Sequence, residues 1–308
     1  MLKKKAIRKI LITSMTLIIL SMVYIMPGEK TGMETLKVNK QIEYKDEKLG
    51  YIYLLNDNNL LVKVNALIND SVSIENKALA ILDKLINNNI NPKGLKNIIP
   101  SNTKVIGVEL DKDHLSINFS KELLKTVESL RDKLIEAVSY SIFEINEINS
   151  ISIYVEDEKL SRYFDSAPEV ITRDYGINKI YNLSSLKDIQ KVVVYYINEI
   201  DNKNYLVPVT SYVNNPEDKI KIIIESLSSS YIYEPNLVSY LNNKTELINY
   251  EINDDIMMLN FNNSIFIGDG NILEEVVYTI SNSVFDSYDI NRVIFNVDNK
   301  VVREVYKN

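Results

Sequence analysis

The chain contains one short pattern twice, and this repeat constrains its fold more than any other feature. DHLSINF at residues 113–119 returns as DIMMLNF at 255–261, a constant offset of 142 residues (113 to 255). The matching positions are Thr103, Ile106, Glu109, Asp113, Asn118 and Phe119 in the first copy and Thr245, Ile248, Glu251, Asp255, Asn260 and Phe261 in the second. Each copy spans about a hundred residues, enough for a core of its own, so the repeat predicts two similar domains in tandem.

The repeated stretches have the alternation of half-buried strands, with Phe119 and Phe261 on the inward faces. The match extends over residues 103–119 and 245–261. Polar residues in the middle of these longer segments, DKD at 111–113 and NDD at 253–255, predict a turn and therefore a hairpin. Upstream, the segments at 51–68 and 192–213 each contain two apolar runs around an Asn/Asp turn, which predicts two more strands per copy.

Apolar stripes with helical spacing lie on both sides of each hairpin. In the first copy the stripes are Ala78, Leu82, Leu85 and Ile86 before the hairpin, and Leu130, Leu134, Val138, Ile142 and Ile145 after it. In the second copy they are Ile220, Ile223, Ile224 and Leu227 before the hairpin, and Leu273, Val276, Val277, Ile280 and Val284 after it. Asn215 as a cap and Pro216 at the first helical position predict where the first helix of copy two begins.

Each copy closes with a strand and an acidic turn, at 151–159 and at 293–300. The order strand, strand, helix, hairpin, helix, strand predicts an α+β fold. The first domain should span residues 49–160 and the second 192–308, with residues 161–191 as a linker because they show no sustained periodicity.

The N-terminus has the pattern of a membrane segment. Residues 1–9 hold five cations and no acid, and an apolar run follows over 10–26. As a helix this run is about 25 Å long, close to the thickness of a bilayer core. We expect residues 1–9 to stay in the cytoplasm, 10–26 to form a single-pass anchor, and 27–48 to form a polar stalk outside the cytoplasm. A cleaved signal peptide, giving a secreted protein, is the alternative; VYIMPGEK at 23–30 lacks its small-residue cleavage pattern.

Composition excludes several functional classes. The chain has no cysteine, which removes disulfides, thiolate catalysis, iron–sulfur clusters and a lipid anchor on cysteine. Its one histidine, His114, cannot form a histidine metal site alone. Residues 10–308 keep 30 Lys and Arg (35 less 5) against 42 Asp and Glu, a net charge of −12. Nonspecific binding to nucleic acid is therefore not expected.

Candidate catalytic groups are few. The acidic pairs Asp111 with Asp113 and Asp254 with Asp255, and the run at 156–158, fall in predicted turns, where carboxylates are well solvated. A glycosidase needs one desolvated acid, which nothing in the sequence indicates. GDG at 268–270 fits a turn better than a phosphate loop. We predict no catalytic residue, cofactor or metal, and hence a protein that is not an enzyme.

Two asparagines recur at the ends of the repeated strands. By alternation, Asn118 and Asn260 point away from the inward Leu, Ile and Phe face. Such a side chain can bond nearby backbone and fix a turn, which we favour over ligand binding. His114 is expected at the surface, since its counterpart in the second copy is Ile256.

Short motifs in a shared order resemble the GerMN-domain family of spore-forming bacteria. The family pattern includes a strand ending LVPV, an IP-x-GT turn, a strand ending DFS and a closing VDGK turn. The corresponding segments are LVKV at 61–64, IIPSNTKV at 98–105, INFS at 117–120 and VEDEK at 155–159, then LVPV at 206–209, LNFN at 259–262 and VDNK at 297–300. Departures are Asn102 for the turn glycine, YLNNKT at 240–245 for the IP turn, and asparagine for the aspartate of DFS.

The resemblance covers roughly residues 50–160 and 190–306 in tandem and implies a fold similar to the ring-building domains of secretion systems. It implies a non-enzymatic, membrane-anchored scaffold for sporulation or germination, located between two membranes, that helps to assemble or stabilise a ring or channel between mother cell and forespore. The implied partners are other envelope scaffold proteins and further copies of the chain. A module that binds peptidoglycan or another envelope ligand is the alternative, kept open by 20 tyrosines.

Overall fold

The computed structural model describes residues 49–68, 73–87, 92–229, 236–268 and 270–307. The predicted cytoplasmic flank 1–9, anchor 10–26 and stalk 27–48 therefore lie outside the described residues. Within the described ranges, no helix is both long and apolar enough to cross a membrane.

Both copies have the predicted element order. Copy one contains β1 (Leu49–Asn56), β2 (Leu61–Leu67), α1 (Ile74–Asn87), β3 (Leu95–Lys96), β4 (Val105–Asp111), β5 (His114–Phe119), α2 (Arg131–Phe143), β6 (Ser150–Val155) and β7 (Glu158–Lys159). The connecting segment contains β8 (Ile171–Thr172) and β9 (Ile180–Asn182). Copy two contains β10 (Gln190–Ile200), β11 (Lys203–Val213), α3 (Lys219–Ser228), β12 (Leu237–Val238), β13 (Leu247–Asn253), β14 (Ile256–Phe261), α4 (Glu274–Ser287), β15 (Arg292–Val297) and β16 (Lys300–Tyr306).

Each copy has an outer sheet of its own. Copy one has the order β4-β5-β6-β7, with β8 also paired to β6, and copy two has the order β13-β14-β15-β16. The helix α2 connects β5 to β6 and α4 connects β14 to β15, and these two strand pairs are parallel. A parallel pair requires such a crossover, whereas the other neighbours in the outer sheets are antiparallel.

Helices α2 and α4 are largely buried, because each lies between its outer sheet and one strand of a central sheet, β1 for α2 and β10 for α4. Small side chains permit this close approach. Ser141 Oγ accepts a hydrogen bond from Tyr53 N at 2.9 Å, and Ser283 Oγ accepts one from Tyr195 N at 2.8 Å. The helices thus supply partners for backbone donors at the outer edges of β1 and β10, where the sheet ladder has stopped.

Helix α3 begins at Lys219, three residues later than Asn215 and Pro216 predict. Asn215 Oδ1 instead accepts from Glu217 N at 2.9 Å, which forms a local turn. Gln190 Nε2 donates to the carbonyls of Asn215 and Glu217 at 2.5 and 3.1 Å. These bonds keep both carbonyls outside the helix.

The N-terminal hairpins of the two copies join in one 7-stranded central sheet, with the order β12-β10-β11-β2-β1-β3 and β9 beside β11. In a flat sheet, β1 and β10 would lie about 14 Å apart, three strand spacings. Asn56 Nδ2 on β1 nevertheless donates to Asn198 Oδ1 on β10 at 3.0 Å. The central sheet is therefore strongly coiled, and the two copies share it.

The junction between the copies has little direct pairing: Leu206 and Lys63 form the one β2–β11 register pair among the described residues. Pro208, two residues along β11, has no N–H to donate towards β2. Tyr195, its partner on β10, directs its own N–H to Ser283. The Tyr195–Pro208 pair is thus not hydrogen-bonded, so the proline nitrogen faces the junction.

Asn178, from the connecting segment, completes this junction. Its side chain accepts from Leu61 N at 2.9 Å and donates to the carbonyls of Leu61 and Pro208, both at 2.8 Å. Its backbone has a positive φ of 47°, which asparagine tolerates better than most residues. Its own N–H donates to Glu136 Oε2 at 2.9 Å.

Residues 161–191, expected as a linker, are packed into the fold. Phe164, Ile171 and Ile177 are fully buried, β8 pairs with β6, and β9 pairs with β11. The strands are two and three residues long, too short to produce a periodic pattern in the sequence. The segment connects the copies and also holds them together.

Replacing Asn178 with alanine should destabilise both copies together. Three buried backbone groups lose their partner, and each unsatisfied group costs about 1–3 kcal/mol, so we expect the free energy of unfolding to fall by at least about 3 kcal/mol. Urea unfolding of the compact unit Ile42–Asn308 measures it. Asn182→Ala, on the exposed part of β9, is the matched control and should be nearly neutral. An equally small effect of both changes would show that Asn178 does not hold the junction.

Phe119→Ala and Phe261→Ala should each cost about 3–5 kcal/mol, because both rings are completely buried. Since the copies share a sheet, each variant should unfold in a single transition at lower urea. Ile106→Ala and Ile248→Ala, at exposed positions of the same repeat, serve as controls and should cost less than about 1 kcal/mol. A loss confined to a separate early transition would contradict the shared unit.

Candidate functional site

The repeated signature residues are spread over the two outer sheets. Thr103 and Thr245 are buried at the turns before the edge strands, where their backbone N–H groups donate to Pro100 O at 2.9 Å and Asn242 O at 2.8 Å. Glu109 and Glu251 are exposed on β4 and β13. These four residues do not converge on a common site.

Ile106 and Ile248 occupy the same irregularity in both copies. The register shifts between Val105 and Gly107 in β4 and between Leu247 and Asn249 in β13, so each isoleucine is a bulged residue. Their side chains are 53% and 58% exposed. Bulges on edge strands hinder uncontrolled sheet pairing, which gives the position a structural role in each copy.

Asp113 and Asp255 anchor the start of the parallel strand pairs. The carboxylate of Asp113 accepts from Asn149 Nδ2 at 2.9 Å, and that of Asp255 accepts from Asn291 Nδ2 at 3.0 Å. Their backbone carbonyls accept from the N–H groups of the same two asparagines. The acids therefore set where β6 and β15 begin.

Asn118 and Asn260 bind the turn that closes the neighbouring parallel strand. Asn118 donates to Asp157 Oδ1 at 2.6 Å and accepts from Asp157 N at 3.2 Å. Asn260 donates to Asn299 Oδ1 at 3.3 Å. The turn they fix follows β6 or β15, so these bonds join two strands that are distant in sequence.

The other candidate groups also lie apart. Asp254 and Asp157 lie in hairpin turns with positive φ, and the acids at 111–113 flank a similar turn at Lys112. His114 Nδ1 lies 2.8 Å from Ser150 Oγ. Gly268 and Gly270 have positive φ, as a turn requires. Among the residues that the structure describes, no group of three or more acidic or histidine side chains could hold a metal ion.

The strongest candidate site is a cleft between the two copies, with a cavity of about 240 Å³. Most of the side chains that line it are aromatic, acidic or basic. They include Tyr51, Tyr53, Tyr140, Phe143, Tyr195, Tyr278, Phe285 and Tyr306, the acids Glu144 and Asp286, and the cations Lys63, Arg173 and Lys307. We call this the central cleft.

Two tyrosine–acid pairs at the repeat offset line the cleft. Tyr53 Oη donates to Glu144 Oε1 at 2.8 Å, and Tyr195 Oη donates to Asp286 Oδ2 at 2.6 Å. Both rings are almost completely buried. Since 53 and 195, and 144 and 286, each differ by 142, the cleft contains the same pair once from each copy.

The acids of the cleft shift the pKa values of the tyrosines and the lysine beside them. Burial, and then the carboxylates Glu144 and Asp286, raise the pKa of Tyr53 and of Tyr195 well above the usual range, so both remain hydrogen-bond donors. Burial alone would lower the pKa of Lys63, but Glu144, 2.8 Å from its ammonium, holds it above the ordinary value.

Asp286 reaches solvent at the cleft mouth but is closely surrounded by protein on its other sides. The loss of hydration raises its pKa, although the hydrogen bond from Tyr195 and the charge of Lys63 oppose the shift.

Arg173 fixes one wall of the cleft. Its Nη2 donates to the carbonyls of Ile145 at 3.1 Å and Ile148 at 2.8 Å, just beyond α2. The guanidinium lies 5.2 Å from the centre of the Phe143 ring. This contact ties the connecting segment to the end of α2, so the wall is held by a cation–aromatic contact and two hydrogen bonds.

Sequence reasoning missed this cleft, although a signal was present. Tyr53 and Tyr195 match at the repeat offset, and so does the acidic character of Glu144 and Asp286. Comparison of the copies beyond the repeated hairpin would have found them. The two tyrosine–acid pairs meet in one cavity because the hairpins of both copies join in the central sheet.

Comparison with known proteins agrees with the architecture. The sequence model of the family described as "Germane: Sporulation and spore germination" matches residues 51–161 and 193–303. The spore germination protein GerM of Bacillus subtilis (strain 168) is 24% identical over 286 residues, which cover 89% of this chain and 78% of that protein. None of these descriptions names a catalytic activity.

A solved structure has a similar fold. The structure described as tandem GerMN domains of the sporulation protein GerM from Bacillus subtilis superimposes with a TM-score of 0.73 at 21% identity, covering 84% of this chain and 96% of that chain. The resemblance inferred from the short motifs is confirmed, and so is the tandem arrangement of α/β domains.

Asp286→Asn and Asp113→Asn should change the pH dependence of stability in opposite directions. The folded pKa of Asp286 lies above its unfolded value, so stability is lost as the pH rises through the folded pKa. The bond from Asn149 lowers the folded pKa of Asp113, so its stabilisation is lost as the pH falls. In urea unfolding from about pH 2 to about pH 8, the free energy of unfolding of Asp286→Asn should be most favourable relative to the parent at high pH, and that of Asp113→Asn at low pH. Curves parallel to the parent would contradict both assignments.

Proposed function

Because the chain belongs to the Germane family of sporulation and spore-germination proteins, we propose that it is a non-enzymatic scaffold in the envelope of a sporulating cell. The single observation that carries this proposal is the joined central sheet, which unites two similar modules in one compact body. Such a body can hold its two outer sheets at a constant spacing, as a scaffold must.

The exposed edges of the outer sheets support head-to-tail assembly. β4 and β13 are edge strands, and each displays a bulged, exposed isoleucine at an equivalent position. The two edges are similar but not identical, so different faces of successive subunits could meet in a ring. The bulges favour contact through side chains over extension of a sheet.

Charge opposes assembly of the free ectodomain. Residues 10–308 have a net charge of −12 (30 less 42), so copies repel one another at low salt. We propose that residues 10–26 anchor the chain in the membrane with the ectodomain outside the cytoplasm. Anchoring would raise the local concentration and align the subunits, and other envelope scaffold proteins would supply complementary surfaces.

Ile106→Asp with Ile248→Asp should impair spore development while leaving the fold intact, because both side chains are exposed contact residues in this proposal. Loss of residues 1–26 should give much of the same defect. Heat-resistant spore yield is the measurement, with cross-linked co-purification of envelope proteins as the second. Leu186→Asp, at a side chain that is 88% exposed and outside the outer sheets, is the control. Normal spore yield from the double variant would refute the edge contacts.

Binding to wall glycan is the second candidate, favoured by a different surface. Tyr181 and Tyr212 stack with ring centres 4.9 Å apart and planes 8° from parallel. Tyr181 is 66% exposed, so its outer face is open to a sugar ring. Tight sedimentation with purified peptidoglycan that Tyr181→Ala abolishes, together with normal sporulation of the deletion strain, would favour this function over the scaffold.

A further inference from the structure

The central cleft contains two tyrosine–acid pairs, and among the residues that the structure describes only the pair of copy one has a cation in ion-pair contact with its acid. In copy one, Lys63 Nζ lies 2.8 Å from Glu144 Oε1, and the same ammonium lies 4.2 Å from the centre of the Tyr51 ring. Tyr53 donates to that same carboxylate oxygen. Copy one therefore shows how a primary ammonium group binds in this setting: against an acid, a tyrosine hydroxyl and an aromatic face.

The register of the central sheet identifies the equivalent positions in copy two. Tyr53 pairs with Lys63, and Tyr195 pairs with Pro208, so Pro208 occupies the place of Lys63. Val193 likewise occupies the place of Tyr51, at the offset of 142. An acid and the tyrosine are retained, while Pro208 and Val193, in the places of the lysine and the ring, supply neither a cation nor an aromatic face beside Asp286.

Asp286 lacks the ion pair that Glu144 has. No cation of the described residues lies within 4.0 Å of its carboxylate, and its one hydrogen-bond donor there is Tyr195. The nearby Lys307 instead directs its ammonium to Phe285 O, 3.4 Å away. One carboxylate oxygen is thus available on the side where the cleft opens to solvent.

We infer that the Asp286 side of the central cleft binds a small ligand carrying a primary ammonium group. The ammonium takes the position that Lys63 takes in copy one, donates to Asp286, and lies near Tyr195. The aromatic side chains Tyr278, Phe285 and Tyr306 line the rest of this side and suit the aliphatic part of the ligand. A cavity of about 240 Å³ admits a short alkylamine or the end of a lysine side chain.

Two sources could provide this chemistry: a free small amine, or an amine on a peptide chain. Isothermal titration of the full-length chain in detergent with n-butylamine and with capped lysine (N-acetyl-lysine methylamide) tests both. We expect n-butylamine to bind with a stoichiometry of one, and n-butanol, of similar shape but uncharged, not to bind. If capped lysine binds as tightly as n-butylamine, the amine comes from a peptide chain. If capped lysine does not bind while n-butylamine does, the ligand is a free small molecule.

Asp286→Asn should weaken n-butylamine binding by at least about tenfold, since the charge-assisted hydrogen bond is lost. Asp289→Asn, a nearby exposed acid, is the matched control and should bind like the parent. Binding should also weaken as the pH is lowered, because Asp286, faced by Tyr195, Lys63, Glu144 and Lys307, must be ionised to pair with the amine.

Lys63→Ala provides an independent test by gain of function. Removal of the lysine leaves the pair of Glu144 and Tyr53 without an ion-pair partner, as the pair of Asp286 and Tyr195 already is among the described residues. The variant should bind two equivalents of n-butylamine, and the amine should restore part of its lost melting temperature. If the parent binds no amine, or if Asp286→Asn binds it unchanged, the inference is overturned. The scaffold proposal does not depend on either result.

Discussion

The structure depends on how the unpaired backbone between β2 and β11 is satisfied. One register pair, Leu206 with Lys63, joins the two hairpins directly, and Pro208 contributes no donor there. Buried backbone groups without partners are costly, so the junction needs donors and acceptors from elsewhere. Asn178 provides them and is itself held by Glu136, a buried acid whose carboxylate also lies near Lys133 and Lys179. The connecting segment is therefore a structural component of the shared sheet.

Joining the hairpins has consequences on both sides of the sheet. It coils the sheet enough for Asn56 to reach Asn198, and it brings Tyr53 and Tyr195 into one cleft. In a protein with two independent domains, each tyrosine–acid pair would line a separate surface. Here the copies contribute to one cavity, so their differences matter: Lys63 of copy one corresponds to Pro208 of copy two, which gives the cleft two unequal halves.

The repeat illustrates how copies of one fold divide structural and functional roles. The residues that the copies share most clearly, such as Asp113 with Asp255 and Phe119 with Phe261, set strand starts and fill cores. The clearest difference between the copies is at the hairpin position where copy one has Lys63 and copy two has Pro208. Membership in the Germane family places the chain among sporulation and spore-germination proteins.

The sequence by itself determined the order of elements in each copy, the inward faces of β5 and β14, and the tandem arrangement. These follow from local patterns: strand alternation, helical spacing and turn residues all act within a few positions of one another. Only the tertiary structure decided how the copies join and where a ligand could bind. Asn178 bonds to Leu61 across 117 positions and Asn56 to Asn198 across 142, and no local pattern records such pairs. Single polar residues set the junction and the cleft, and their roles arise only when distant strands meet.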